Sequence, residues 1–213
     1  MRLLCHRGLW RTKGEQNSLE ALVRAIKSGF GLETDVRDHN GNLVISHDPP
    51  VGEDVLPLER FLEKYRESTQ KTLLAINIKA DGLQARLDEI LRAFGVVNYF
   101  VFDMSVPDTL PYLRRGMPVA VRLSEYEDNK LFLDKVNTVW MDAFESDWYS
   151  SQQLRELLGA GKRVCIVSPE LHGRSHYRLW SDLRDLPVKY SHNCHLCTDL
   201  FEQAIESFDV EKD

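Results

Sequence analysis

Residues 18–36 read SLEALVRAIKSGFGLETDV and predict an amphipathic helix followed at once by a strand. Apolar side chains recur there with the spacing of a helix that faces a core, at Leu19, Leu22, Val23 and Ile26. Asn17 can cap the start of this helix, with Glu20 reaching back from its third position, and Gly29 suits the C-terminal cap. The apolar run that follows, Gly31–Val36, reads as a strand, so this stretch predicts one helix–strand unit.

The same alternation continues on both sides of this unit, and no Gly/Ser-rich linker divides the chain. The predicted strands are Arg2–Cys5, Gly31–Val36, Leu73–Ile78, Tyr99–Phe102, Val119–Leu123, Thr138–Asp142, Arg163–Val167 and His195–Asp199. The predicted helices are Ser18–Ser28, Pro57–Arg66, Gly82–Phe94, Val106–Arg115, Lys130–Lys135, Ser151–Ala160, Ser175–Arg184 and Phe201–Phe208. Strands that alternate with helices predict a parallel sheet built from βα units.

Eight strands with intervening helices favour an α/β fold of the (β/α)8 barrel type, and we expect residues 1–213 to form one compact domain. An open, doubly wound sheet is the alternative fold. No Gly-rich dinucleotide-binding loop follows the first strand, which weakens this alternative.

Composition narrows the classes of partner and location. The 213 residues include 27 Lys and Arg against 33 Asp and Glu, a formal net charge of -6, which disfavours broad binding of nucleic acid. The sequence has no apolar run long enough to span a membrane, and its first residues lack the pattern of a signal peptide. We therefore expect a cytoplasmic protein. Four cysteines are too few for a disulfide framework in a chain of this length.

Polar residues cluster where the first three predicted strands end, which is where barrel enzymes place their reacting groups. His6-Arg7-Gly8 follows the first strand, while Glu33 and Asp35 share one face of the second. Asn77 and Lys79 share one face of the third. Two carboxylates that point into a barrel need a cation, and hard oxygen ligands with an amide nearby suit Mg²⁺ or Ca²⁺. We therefore predict a divalent metal at Glu33, Asp35 and Asn77.

A hairpin is predicted after the second strand, because Asn40-Gly41 is a strong two-residue turn signal. With this turn central, His39 pairs with Asn42, and counting outward places His47 opposite Thr34. His47 would then return to the neighbourhood of Glu33 and Asp35. His6 and His47 are a natural acid–base pair near neutral pH.

Four segments in this order resemble the glycerophosphodiester phosphodiesterase family: His6-Arg7-Gly8, residues 17–21 (NSLEA), residues 33–36 (ETDV) and His47-Asp48. The resemblance implies a barrel of the phosphatidylinositol phospholipase C-like type that hydrolyses a small glycerol- or sugar-type phosphodiester. It implies His6 and His47 as the catalytic pair, metal binding at Glu33 and Asp35, and phosphate binding by Arg7 and Lys79. Two positions differ from the family pattern: Gln16 and Asn77 each stand where the family usually has Glu.

Two other functions stay open at this point. A relative could use the same groups for intramolecular phosphoryl transfer that yields a cyclic phosphate. A barrel weakened at Asn77 could instead bind a phosphodiester without turnover. The loop after the seventh strand, residues 168–174 (SPELHGR), is a candidate for substrate selection, and Glu170 or Arg174 could contribute there. An ordinary loop with a helix start is the slightly favoured interpretation of these two residues. A zinc site at Cys194 and Cys197 is disfavoured because the segment also reads as the eighth strand.

Overall fold

The computed structural model describes residues 1–128 and 130–212 of the chain. Its strands are β1 (Arg2–Cys5), β2 (Gly31–His39), β3 (Asn42–Ile45), β4 (Leu56–Pro57), β5 (Leu74–Ile78), β6 (Tyr99–Phe102), β7 (Ala120–Ser124), β8 (Glu127–Asp128), β9 (Thr138–Met141), β10 (Arg163–Val167) and β11 (Cys194–Thr198). Its α-helices are α1 (Leu19–Ser28), α2 (Leu58–Glu67), α3 (Gln84–Ala93), α4 (Val106–Arg114), α5 (Ser151–Gly159), α6 (Tyr177–Arg184) and α7 (Phe201–Ser207). All eight predicted strands are confirmed, and so are all the predicted helices except one. Residues Lys130–Lys135 form a 3-10 helix instead.

These residues fall into two compact units. The amino-terminal unit comprises residues 6–119, and the carboxy-terminal unit comprises residues 1–5 and 120–212. The predicted single domain over residues 1–213 stays a prediction, and Asn129 and Asp213 lie outside the described residues.

The amino-terminal unit is built on three parallel strands, because β5 pairs with β2 on one side and with β6 on the other. The second strand continues past the sheet into a hairpin with β3, in which His39 pairs with Asn42 as predicted. A short fourth strand, β4, extends this hairpin by pairing with β3. Polar residues on β2 and β5 are thus brought side by side: Asp35 is the register partner of Asn77.

Helix α1 buries a slightly different face from the predicted one. Ala21, Leu22, Ala25 and Ile26 are buried, whereas Leu19 and Val23 are only half-buried. The preceding turn packs directly on the helix backbone at Ala21 and Leu22. The predicted Gly29 cap is confirmed by its left-handed backbone, with φ of 80°.

The carboxy-terminal unit holds five parallel strands in the order β1-β11-β10-β9-β7, and β8 pairs antiparallel with β7. Its strands are almost wholly buried, as expected for parallel strands. All four cysteines lie in these strands as buried thiols, one in β1, one in β10 and two in β11. No helix among the described residues has the length and apolarity to cross a membrane.

Candidate functional site

The sharp turn at His6-Arg7-Gly8 is set by backbone conformation. Arg7 and Gly8 both have positive φ, at 56° and 87°. A Cβ on Gly8 would stand 2.8 Å from the backbone carbon of Ala21, so only glycine lets this turn pack against α1. The N–H of Leu9 donates to the Ala21 carbonyl and that of Asn17 to the Arg7 carbonyl, each at 2.9 Å. The turn is therefore held rigidly.

Two acidic side chains of β2 are fully enclosed. Glu33 is 2% exposed and Asp35 is 0% exposed. The backbone N–H of Arg7 donates to Glu33 Oε2 at 3.1 Å, which ties the turn to the strand. Burial, with a further contribution from the charge of Asp35, raises the pKa of Glu33 to about 7. Without a bound cation, the enclosed site thus favours the neutral acid form of Glu33.

Basic and amide groups surround Asp35. Arg7 Nε lies 3.0 Å from Oδ2 and Lys79 Nζ lies 3.3 Å from Oδ1. The side-chain amide of Asn17 donates to Oδ2 at 2.8 Å, and its oxygen accepts from the hydroxyl of Thr34 at 2.8 Å. Lys79 is shared, because its Nζ also lies 4.0 Å from Asp103 Oδ2.

The two histidines differ in their surroundings. His6 Nε2 lies 4.0 Å from Glu33 Oε2, and its side chain is mostly buried. His47 follows β3 and has a side chain that is 42% exposed, with Nδ1 lying 2.8 Å from Asp48 Oδ1. The β2–β3 ladder ends before the predicted pairing of His47 with Thr34 is reached. The N–H of Ser46 nevertheless donates to the Asp35 carbonyl at 3.1 Å, which keeps this segment beside the acidic strand.

The donor set fits a hard divalent cation, although it is poor in charge. Asp35 Oδ1 and Asn77 Oδ1 are buried, and neither accepts a hydrogen bond of ordinary geometry from the described residues, although Lys79 forms an ion pair with Asp35 Oδ1. They belong to register partners on neighbouring parallel strands, whose side chains point to the same face. Oxygen atoms of carboxylate and amide groups are the usual ligands of Mg²⁺ and Ca²⁺. Within residues 1–128 and 130–212, no group of three His, Cys, Asp or Glu side chains has a metal-binding arrangement, so any cation here would rely on Asn77.

No protein-family model matches the chain, and no curated protein sequence matches it. A glycerophosphodiester phosphodiesterase structure from Parabacteroides distasonis matches it with a TM-score of 0.70 at 17% identity, covering 96% of this chain and 95% of that one. A phosphodiesterase from Oleispira antarctica, solved with the product sn-glycerol-3-phosphate, matches with a TM-score of 0.69 at 15% identity and 97% coverage of each chain. The chain has the glycerophosphodiester phosphodiesterase fold. This likeness confirms the predicted α/β fold class of the (β/α)8 type.

A more distant structure shares the glycerophosphodiester phosphodiesterase fold as well. It is a Ca²⁺-dependent phosphatidylinositol-specific phospholipase C from Streptomyces antibioticus, with a TM-score of 0.56 at 10% identity, covering 96% of this chain and 95% of that one. Fold likeness at these identities says nothing about individual side chains. The roles of the site residues therefore rest on the geometry described above.

Within this fold, the structure brings five of the seven predicted site residues into direct proximity: His6, Arg7, Glu33, Asp35 and Lys79. Asn77 joins them by strand register, and His47 follows the residue whose N–H is bonded to Asp35.

Sequence reasoning missed Asn17 as a site residue, since it was predicted to cap α1. The helix is in fact capped by Ser18, whose hydroxyl accepts from the Ala21 N–H at 3.2 Å. Asn17 adopts a left-handed backbone, with φ of 59°, which turns its amide toward Asp35.

The loop residues of the carboxy-terminal unit have structural partners of their own. Glu170 Oε1 accepts from the hydroxyl of Thr198 and from the N–H of Asp199. Arg174 forms an ion pair with Asp147 and donates to the carbonyl of Ala143 at 2.9 Å. Both side chains thus stabilise loops at the ends of strands in this unit. The Cys194–Cys197 segment lies in strand β11, in agreement with the predicted eighth strand.

Proposed function

We propose that the chain is a metal-dependent phosphodiesterase that hydrolyses a small glycerol- or sugar-type phosphodiester. One observation carries this proposal: two enclosed carboxylates lie close to three basic groups. Glu33 lies 4.0 Å from the imidazole of His6. Asp35 lies 3.0 Å from the guanidinium group of Arg7 and 3.3 Å from the ammonium group of Lys79. A site with both signs of charge at this density suits a phosphate ester bridged to the protein by a cation. The fold and the product-bound relative from Oleispira antarctica support the same substrate class.

Glu33, Asp35 and Asn77 would hold the cation, Mg²⁺ or Ca²⁺, through their oxygen atoms. A cation held there would supply Lewis acidity and a fixed point for orienting the substrate. Two formal negative charges with an amide make a weaker site than three carboxylates. The replacement Asn77→Glu is therefore expected to tighten Ca²⁺ and Mg²⁺ binding at least tenfold, as measured by calorimetry. Unchanged affinity would show that Asn77 does not bind the metal.

Arg7 and Lys79 would bind the phosphate. Both now neutralise Asp35, and each is only partly buried, so both can also contact an anion at the same point. The guanidinium group can donate two parallel hydrogen bonds to phosphate oxygens, while the ammonium group acts as a point charge. Together they would stabilise the charge that builds up during attack at phosphorus.

His6 and His47 would move the protons. One activates water or a neighbouring hydroxyl, and the other protonates the leaving alkoxide. His6→Ala and His47→Ala are each expected to lower kcat by about 10² to 10⁴, measured on a panel of phosphodiesters with each divalent ion. His192→Ala is the matched control, because His192 is an exposed histidine of the other unit that also pairs with a carboxylate. Full activity in both site variants would refute this mechanism.

One observation favours a second function, the binding of a phosphodiester without turnover: the neutral Asn77 occupies the third oxygen position of the site. This alternative predicts saturable binding and no product with Mg²⁺, Ca²⁺ or Mn²⁺. Product analysis also separates hydrolysis from transfer, since transfer would accumulate a cyclic phosphate. The cytoplasmic location and the absence of nucleic-acid partners stay predictions from the sequence.

A further inference from the structure

We propose that Asp103 is a positioning residue: it receives the ammonium group of Lys79 when a cation is bound at Asp35, and it holds that group where a phosphate arrives. This exchange of partners takes place in the metal and phosphate site and therefore rests on the proposed function. It adds a residue and a coupling between two ligands that the proposed function does not itself require.

Lys79 occupies the oxygen atom of Asp35 that a cation would need. The other oxygen, Oδ2, is taken, because it accepts from the amide of Asn17 at 2.8 Å and lies 3.0 Å from Arg7 Nε. Oδ1 is buried, and the Lys79 ammonium group lies 3.3 Å from it. Two cations beside one buried oxygen repel each other strongly. Lys79 and a divalent ion therefore compete for Oδ1, and Lys79 has to move when the ion is bound.

Asp103 gives Lys79 a second carboxylate within reach. Asp103 directly follows β6, and Lys79 directly follows β5, the strand that pairs with β6. The Nζ atom of Lys79 lies 4.0 Å from Asp103 Oδ2. The backbone N–H of Lys79 donates to the carbonyl of Val36 at 2.8 Å, so the start of the side chain is fixed. Rotation about side-chain bonds is then enough to carry the ammonium group from one carboxylate to the other.

The backbone of Asp103 also points to a role in the site. Its φ is 72°, in the left-handed region that few residues other than glycine adopt. Strain of this kind collects at functional sites, where the surrounding structure holds it in place. Glycine would adopt this backbone at lower cost, but it has no carboxylate to offer Lys79.

Exposure gives the exchange a direction. The Asp35 side chain is 1% exposed, whereas that of Asp103 is 15% exposed and that of Lys79 is 19% exposed. An ammonium group that leaves Asp35 for Asp103 therefore moves from an enclosed carboxylate to one that solvent can reach. A phosphate finds Lys79 in this place only after the cation is bound, so the two ligands should bind cooperatively.

The test is a double-mutant cycle in the full chain, with Ca²⁺ and Mg²⁺ as probes and calorimetry as the measurement. Lys79→Met should tighten cation binding, because the competing charge is removed while the Oδ2 contacts of Asp35 remain. Asp103→Asn should weaken cation binding about tenfold or more, because Lys79 then stays on Asp35. In the Lys79→Met background, the same Asp103→Asn replacement should change the affinity by less than about twofold.

The cycle separates this exchange from a simple loss of negative charge. Loss of charge alone would weaken cation binding by the same factor whether or not Lys79 is present. Asp38→Asn, an exposed change on β2, is the matched control and should change the affinity by less than about twofold. Asparagine also adopts the left-handed backbone readily, so Asp103→Asn should keep the fold.

A second measurement follows Lys79 directly. NMR of the lysine ammonium groups reports on their partners, and the Lys79 signal can be assigned by its loss in Lys79→Met. We expect Ca²⁺ to shift this signal saturably in the wild type. The end point should differ in Asp103→Asn, where no carboxylate receives the ammonium group.

Three outcomes would overturn the exchange: the same cost of Asp103→Asn with and without Lys79, unchanged or weaker cation binding in Lys79→Met, or a Lys79 signal that Ca²⁺ does not shift. Asp35→Asn separates these failures from failure of the proposed function. Cation binding that is lost in Asp35→Asn but shows no coupling in the cycle would refute the exchange alone. A wild type that binds neither ion, or an Asp35→Asn variant that binds them unchanged, would refute both.

Discussion

The ionisation of Glu33 is coupled to folding, because this carboxyl group is buried in the folded protein. Its pKa is raised from 4.5 to about 7 by burial and by the charge of Asp35, which means that the folded protein favours the protonated acid. In metal-free protein, the stability contributed by this group is fully present below pH 4.5 and is lost as pH rises through 7.

We therefore expect metal-free protein to lose of the order of 3 kcal/mol of unfolding free energy from Glu33 between about pH 4.5 and pH 8. Glu33→Gln should abolish this part of the pH dependence, because the amide cannot ionise and can still accept from the Arg7 N–H. The measurement is denaturant unfolding across this pH range in the presence of a chelator. Glu63→Gln, an exposed change on α2, is the control. Parallel pH profiles for the wild type and Glu33→Gln would contradict this account.

At the scale of elements, the contact between the His6-Arg7-Gly8 turn and α1 makes a quantitative prediction. Gly8→Ala combines a left-handed backbone with a Cβ that would meet helix backbone at 2.8 Å, so neither strain can relax through a side chain. It should lower the free energy of unfolding by about 2–4 kcal/mol. Gly41→Ala has a similar φ of 79° with no atom within 4 Å, and should cost only about 1 kcal/mol. Equal costs in chemical denaturation would show that the close approach is unimportant.

Elements were predictable where the pattern is local. Strands such as Tyr99–Phe102 were found with their bounds because short apolar runs between helices have few alternatives. The α-helix predicted at Lys130–Lys135 was wrong, because a segment of six residues is short enough to form a 3-10 helix instead. The capping of α1 was wrong for another reason: Asn17 is used by Asp35, a partner 18 residues away that no local rule contains.

The site was predictable in part for the same physical reason. Because side chains alternate along a strand, Glu33 and Asp35 were predicted to share one face. Lys79 was predicted to lie near them because it follows the end of another parallel strand. The exposure of His47 and the role of Asp103 beside Lys79 depend on loops, whose course the sequence pattern does not determine.

For the whole molecule, cation binding should appear as global stabilisation. A cation that binds only the folded chain adds about 2.7 kcal/mol when present at 100 times its Kd. For a chain of this size, that should raise Tm by about 5–10 °C in a thermal melt with Ca²⁺ or Mg²⁺. Asp35→Asn should remove the increase, and Asp38→Asn, an exposed change on the same strand, should keep it. A cation response that survives Asp35→Asn would place the metal elsewhere.

All four thiols are buried in β1, β10 and β11, so the rate at which they react reports on the opening of these strands. Burial raises the pKa of the Cys194 thiol to about 12, so the closed protein offers almost no reactive thiolate at that position. A small aromatic disulfide reagent can then react only in the moments when strands separate. The rate of this reaction, followed by the absorbance of the released aromatic thiol, would therefore measure how often the sheet opens spontaneously in plain buffer. Neither denaturant nor an introduced label is needed.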